Sequence, residues 1–243
     1  MKSDISKSII DVRGRIANAR NEHDRRVDDI SIVAVTKSHP VSAIKMAVSA
    51  GIHNIGESKV QEAEKKFALL EPGASRLHMI GHLQSNKAKK AVQLFDVIQS
   101  VDSLKLAQEI SRYAGELNKE IECLIEVNCS GESQKHGIAP DDTLHLVEAV
   151  MALPNIHLTG LMTIGPLSED QDAIRDAFRT CHQLFEEAKK LTDEHFEILS
   201  MGMSDDFELA IAEGSTLLRI GSAIFGSRKG KADTEPEETT EAE

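Results

Sequence analysis

The 243-residue sequence predicts an α/β chain folded as a single (β/α)8 barrel with an extra N-terminal helix. Three observations predict it: eight short β-type runs, helix-patterned stretches between successive runs, and connections too long for hairpins, so that neighbouring strands run parallel. About 250 residues is also a common size for one such barrel. The competing arrangement, an open doubly wound sheet, would carry G-x-G-x-x-G after a strand in its dinucleotide-binding form, and no run here is followed by that pattern.

The elements follow in order. Ile5, Ile9, Val12 and Ile16 recur three or four apart and so share one face of an opening helix, with Asp4 or Ser3 as its cap. The β-type runs are "SIVAVT" (31–36), "IHNIG" (52–56), "LHMIG" (77–81), "VIQSV" (97–101), "CLIEVN" (123–128), "HLTGLMT" (157–163), "FEILSMG" (196–202) and "LLRIG" (217–221). Between them lie "VSAIKMAVSA", "SKVQEAEKKFALL", "SNKAKKAVQLF", "SLKLAQEISRYAGELN", "DDTLHLVEAVMAL", "DQDAIRDAFRTCHQLFEEAKKL" and "SDDFELAIAEG", all patterned as helices. No internal linker interrupts the series, so residues 1–228 read as one domain. The remainder, 229–243, has almost no apolar residue and sets two lysines against six carboxylates, which predicts an acidic, disordered tail.

Composition narrows the function classes. The net charge is −12, no basic stripe is visible, and one Tyr with no Trp offers little surface for stacking bases, so nucleic acid is not an expected partner. No apolar run approaches the ~20 residues that span a bilayer. Three cysteines, Cys123, Cys129 and Cys181, form no C-x-x-C pair and accompany no signal peptide, which predicts unpaired thiols in the cytoplasm. Cys129 stands near a strand end, where a nucleophile can sit; the favoured reading is a small buried apolar side chain.

The residues just past the carboxyl ends of barrel strands face the active site of this fold. Lys37 ends the first apolar run. As a structural residue it would pair with a carboxylate such as Glu57 or Asp102; as a chemical one, a neutral amine there attacks a carbonyl to give a Schiff base. Desolvation or a neighbouring cation favours the neutral amine, and Arg219, placed across the barrel on strand eight, is such a cation. After strand eight, "RIGSAIFG" puts Gly221 and Ser222 where a short helix begins, the usual phosphate cradle of the fold, and Ser200 and Ser204 offer hydroxyls nearby. Taken singly, Gly221 and Gly226 read as turn glycines and Ser204 as a helix cap. His78 and His82 lie across a strand and its turn and read as hydrogen-bonding residues, while Lys87, Lys89 and Lys90 read as a solvated helix face, with an anion patch as the alternative.

Together and in this order, "IVAVTK", "IGESKVQE", "LHMIGHLQSNK", "SVD", "VNCSGESQKHG", "LTGLMTI", "LSMGMSDDFELAI" and "GSTLLRIGSAIFGSR" resemble the pyridoxal 5′-phosphate homeostasis protein family, kin in fold to the barrel domain of alanine racemase. The resemblance spans residues 31–228 and implies a TIM barrel of the pyridoxal phosphate-binding type. It further implies that Lys37 holds the cofactor aldehyde as a Schiff base, that Ser200, Gly221 and Ser222 grip the phosphate, and that Arg219 donates to the pyridine nitrogen. Two positions depart from the family pattern: Ser58 stands where Asn is usual, and Gln99 where His is more usual.

An arginine at the ring nitrogen disfavours its protonation and blunts the cofactor as an electron sink. Racemisation needs an acid/base group on each face of the substrate carbon. In the racemase relatives the second group is a tyrosine from an added domain. Here 24 residues follow Arg219, and the sole tyrosine, Tyr113, falls on the helix after strand four. The leading expectation is therefore a monomeric carrier that binds pyridoxal phosphate reversibly and hands it to apo-enzymes. The alternatives are a slow racemase-like enzyme and a class I aldolase using Lys37.

Overall fold

The computed structural model describes residues 4–23 and 30–226. Eight strands close into one barrel in sequence order: β1 (Ser31–Val35), β2 (Asn54–Glu57), β3 (Arg76–Met79), β4 (Val97–Val101), β5 (Ile121–Glu126), β6 (Ile156–Met162), β7 (Ile198–Ser200) and β8 (Leu217–Ile220). Every neighbouring pair is parallel, and β8 returns to β1 with Arg219 opposite Val33. Closure thus makes Arg219 a neighbour of the first strand rather than a residue across the barrel from it. The predicted acidic tail at 229–243 lies outside the described residues, as does Ser3.

The outer layer holds α1 (Ile5–Glu22), α2 (Val41–Ser49), α3 (Val60–Phe67), α4 (Ala88–Leu94), α5 (Leu104–Glu116), α6 (Thr143–Met151), α7 (Gln171–Ala188), α8 (Phe207–Ala212) and the short α9 (Ser222–Phe225). Asp4 caps α1, its carboxylate accepting from the Lys7 N–H at 3.3 Å. The predicted stripe of Ile5, Ile9, Val12 and Ile16 is buried, joined by Ala19. It has this role because α9 is only four residues long: α1 lies against α2, α8 and α9 and completes the helical ring at the seam between β8 and β1. Each of those large side chains contributes about 1.5–3 kcal/mol of burial.

Some boundaries move for local reasons. The seventh run stops at Ser200 because Gly202 takes φ +95°, and a Cβ there would meet Cβ of Ala210 at 2.6 Å. Gly160 lets β6 approach β7 so closely that a Cβ would fall 1.7 Å from the Ile198 carbonyl oxygen. Both positions require a residue without a Cβ.

Most apolar burial lies between strands and helices; inside the barrel a small cluster of Val97, Leu124 and Met162 is backed by Ile164 and Ile198. The rest of the interior is unusually polar for a fold whose strand layers are normally branched aliphatics. Asn54, His78, Gln99, Ser200 and Arg219 reach inward from β2, β3, β4, β7 and β8 and bond to one another. Among the described residues no helix is long and apolar enough to cross a membrane.

Candidate functional site

A cavity of about 310 Å³ opens at the carboxyl ends of the strands, where Lys37, Ser58, Ser204, Arg219, Gly221 and Ser222 come together. Lys37 sits two residues past β1, in a turn where Ser38 adopts φ +64°. Its flanks are held from below. Thr36 donates its hydroxyl to buried Glu57 at 2.6 Å, and Lys66 of α3 reaches under the turn to Glu57 Oε1, Glu62 Oε1 and the Thr36 carbonyl, each at 2.7 Å. Glu62 in turn accepts from the Ser38 N–H at 2.6 Å. Burial pushes the Glu57 carboxyl up, against the lowering effect of Lys66 and Thr36, while Lys66 and the Ser38 N–H hold Glu62 down despite desolvation. The carboxylates that sequence offered as partners for Lys37 are thus engaged elsewhere: Glu57 with Lys66, and Asp102 with His82 at 3.3 Å. Among the described residues Lys37 makes no ion pair.

Arg219 forms part of the cavity floor and is only 3 % exposed. Its Nη1 donates to the Ser200 carbonyl (2.9 Å) and hydroxyl (2.8 Å), and its Nη2 to the Thr163 carbonyl (2.8 Å). Among the described residues no carboxylate lies within ion-pair distance of it. Desolvation lowers its proton affinity, opposed by the more distant charges of Asp206 and Glu126. A buried guanidinium fixed on one edge by neutral acceptors keeps donors for a further acceptor in the cavity.

At the other end of the cavity, Gly221 and Ser222 begin α9, and Ser204 Oγ accepts from the N–H groups of Gly221 (3.2 Å) and Ala223 (3.1 Å). Ser200 differs from the expectation placed on it. It belongs to β7, is fully buried, and spends its hydroxyl on Gln99 and Arg219, so it is not on the cavity wall. The serine of this segment that reaches the mouth is Ser204, four residues on and clear of the strand.

The other residues singled out by sequence lie off the cavity. Tyr113 is on the outer layer, packed under the Arg112 guanidinium at 3.8 Å. Lys89 and Lys90 pair with Glu116 and Glu64 on the surface. Cys129 packs against the outer core and accepts from Cys181, which draws its thiol down. His82, Asp102 and His136 bring three donor atoms within 4.8 Å. The two imidazoles stack face to face at 3.7 Å, so their in-plane lone pairs run side by side and an ion would first require one ring to turn.

Two residues of the site escaped sequence reasoning. Lys66 reads as the solvent face of a helix, yet it carries the clamp under Lys37. Glu126 ends β5 as Lys37 follows β1, a charge closing an apolar run, and that shared pattern is the signal that could have found it. It is 5 % exposed, its Oε2 has no hydrogen-bond partner among the described residues, and burial pushes it up to about 7, opposed by Arg219. It faces a second hollow of about 200 Å³ that meets the first at Ile80 and Ile164.

A parallel eight-stranded barrel with a lysine after its first strand, a buried arginine on its last and an amide-lined turn beside them defines a barrel of the alanine racemase class. The family model described as alanine racemase, N-terminal domain, matches residues 10–229. A pyridoxal phosphate homeostasis protein of Pseudomonas aeruginosa is 39 % identical over 226 residues, covering 93 % of this chain and 96 % of that one. Among solved structures, an unknown protein from Bifidobacterium adolescentis superposes with a TM-score of 0.84 at 36 % identity, over 91 % of this chain and 94 % of that one. PipY of Synechococcus elongatus, solved with PLP bound, gives 0.79 at 33 % identity, over 92 % of this chain and all of that one. This chain belongs to the pyridoxal phosphate homeostasis protein family.

Proposed function

We propose that this protein binds pyridoxal 5′-phosphate reversibly through a covalent link to Lys37, keeps the reactive aldehyde out of solution, and releases it to apo-enzymes that need it. The observation that carries the reading is the shared cavity: an amine with no ion-pair partner among the described residues, a buried guanidinium with donors to spare, and an amide-bearing turn meet in about 310 Å³. That is the scale of a small-molecule site. The residues fit the group, which would supply an aldehyde for Lys37, a ring nitrogen for Arg219 and a dianion for Gly221 and Ser222. Ser204, already bonded to the turn, replaces Ser200 in the proposed phosphate contact. PipY, similar over nearly the whole chain, has been solved with PLP bound.

A carrier role rather than turnover is favoured by Arg219, whose charge disfavours a proton on the ring nitrogen and so limits carbanion chemistry. Tyr113 packs on the outer layer, away from the mouth. We place the carrier in the cytoplasm as a monomer whose partners are the cofactor and apo-enzymes that use it. The test is borohydride reduction of the loaded protein followed by peptide mapping. The adduct is expected on Lys37 and absent from Lys37→Ala; an adduct on another lysine, or an undiminished one in the variant, overturns the site. Deuterium incorporation at Cα of a single amino-acid enantiomer would replace the carrier by a racemase-like enzyme.

A further inference from the structure

The polar band inside the barrel is a chain of hydrogen bonds with one direction. Arg219 Nη1 donates to Ser200 Oγ at 2.8 Å, and Ser200 donates to Gln99 Oε1 at 2.7 Å. Gln99 Nε2 meets His78 Nδ1 at 3.0 Å. An amide nitrogen only donates, so His78 Nδ1 must accept and its hydrogen sits on Nε2. That nitrogen lies 3.2 Å from Asn54 Oδ1, which takes the hydrogen bond. Every donor therefore points away from Arg219. Asn54 and His78 also border a cavity of about 590 Å³ at the amino ends of the strands, so the chain runs from that hollow to the floor of the Lys37 cavity.

The geometry points to Ser200, Gln99 and His78 as positioning residues that fix the plane and the charge of the Arg219 guanidinium, and through it the proton affinity of the bound cofactor. This rests on the reading that the cavity holds pyridoxal phosphate. With Nη1 tied to Ser200 and Nη2 to Thr163, the guanidinium plane is set. The four members beyond Arg219 (Ser200, Gln99, His78 and Asn54) all accept as neutral groups, so no member of the network neutralises the positive charge. The ionisable groups facing Arg219 are Glu126 from β5, Asp206 ahead of α8 and Cys181 on α7; Arg76 is the charge that acts on His78. None of these is a member of the chain.

Gln99 gains a reason from this. The position must accept from Ser200 and donate to His78 at once, which an amide does as a histidine does, without titrating. Aligned bonds in a dry interior polarise one another, so loss of a middle member is felt at the end.

The experiment compares wild type, Gln99→Leu, Gln99→His and Ser200→Ala, each loaded with pyridoxal phosphate. It follows the visible absorption against pH and the cofactor dissociation constant. In addition, ¹⁵N NMR of the cofactor-free protein reports the His78 tautomer. Gln99→Leu should move the titration midpoint by about one pH unit and weaken cofactor binding about ten-fold, the scale of one hydrogen bond to a charged group. Gln99→His should stay within about two-fold of wild type, a rescue that mere packing would not give. A folded Gln99→Leu with an unmoved midpoint overturns the inference, as does a His78 proton on Nδ1. Should Gln99→Leu fail to fold, Ser200→Ala and the wild-type tautomer decide in the same way. Borohydride trapping at Lys37 reports separately: its failure in wild type overturns the binding reading, and the tautomer then judges the chain alone.

Discussion

Replacing Lys66 by methionine tests the clamp under Lys37. The ammonium touches three acceptors at 2.7 Å, Glu57, Glu62 and the Thr36 carbonyl, and Lys66 as a residue is 9 % exposed. Glu57 is fully buried and its Oε2 has no hydrogen-bond partner among the described residues. Methionine fills similar volume but leaves that carboxylate with one hydroxyl donor, Thr36, in a dry site. Breaking a buried pair from one side costs about 3–5 kcal/mol, whereas removing both charges is close to neutral. Lys66→Met should therefore lose about 3–5 kcal/mol in urea unfolding near pH 7, and the double variant Glu57→Gln/Lys66→Met should recover most of it. The sign with pH follows from Glu57, whose proton affinity is already raised by burial and rises further without Lys66. Such a group favours the folded state below its unfolded value and costs stability as pH rises through its folded value, so the deficit should shrink on acidification. A loss under about 1 kcal/mol near pH 7, or a double variant no more stable than the single, would refute the account.

Three further outcomes are expected. Burial lowers His78 from 6.5 to about 3, so the unfolded chain binds its proton first; stability is complete above 6.5 and should fall toward pH 3 by about 1.4 kcal/mol per unit from this residue, a slope that His78→Gln should remove in denaturant titrations. Ser204→Ala removes the hydroxyl that orders the Gly221 and Ala223 N–H groups and that the proposed phosphate contact uses, and should weaken binding of inorganic phosphate and of the cofactor alike, about ten-fold, in equilibrium dialysis. Gly202→Ala adds a Cβ 2.6 Å from that of Ala210 at φ +95° and should cost more than about 2 kcal/mol, read as a fall in Tm.

How much of this was legible in the sequence depended on whether a signal was local. The strand count, the buried stripe of α1 and the placement of Lys37, Arg219, Gly221 and Ser222 around one mouth follow from periodicity and from where chain segments end in a parallel barrel. Ser200 shows the limit of that logic. Proximity to a strand end made it a candidate for the mouth, but a residue still within the strand points into the barrel one layer below. Of these two serines it is Ser204, beyond the Gly202 turn, that reaches the rim. Lys66 was hidden for another reason. Its neighbours in "EAEKKF" are those of a solvated helix, and its burial is decided by Glu57, nine positions away on β2.

The placement of Arg219 joins these strands of argument. An isolated reading of "RIG" says only that a cation ends strand eight. Closure of the barrel puts that strand against β1, so the arginine and the Lys37 turn occupy adjacent walls of one cavity, and each is held by its own network. Glu57, Lys66 and Glu62 fix the amine's turn from the helical side; Ser200, Gln99 and His78 fix the guanidinium from inside the barrel. The two networks share no member, so perturbations of one should leave the other intact and combine additively. On the proposed reading, a cavity built this way would grip pyridoxal phosphate at two independently set points, its aldehyde end and its ring nitrogen. Weakening the ring contact should therefore speed release without abolishing capture at Lys37, as a reversible carrier requires.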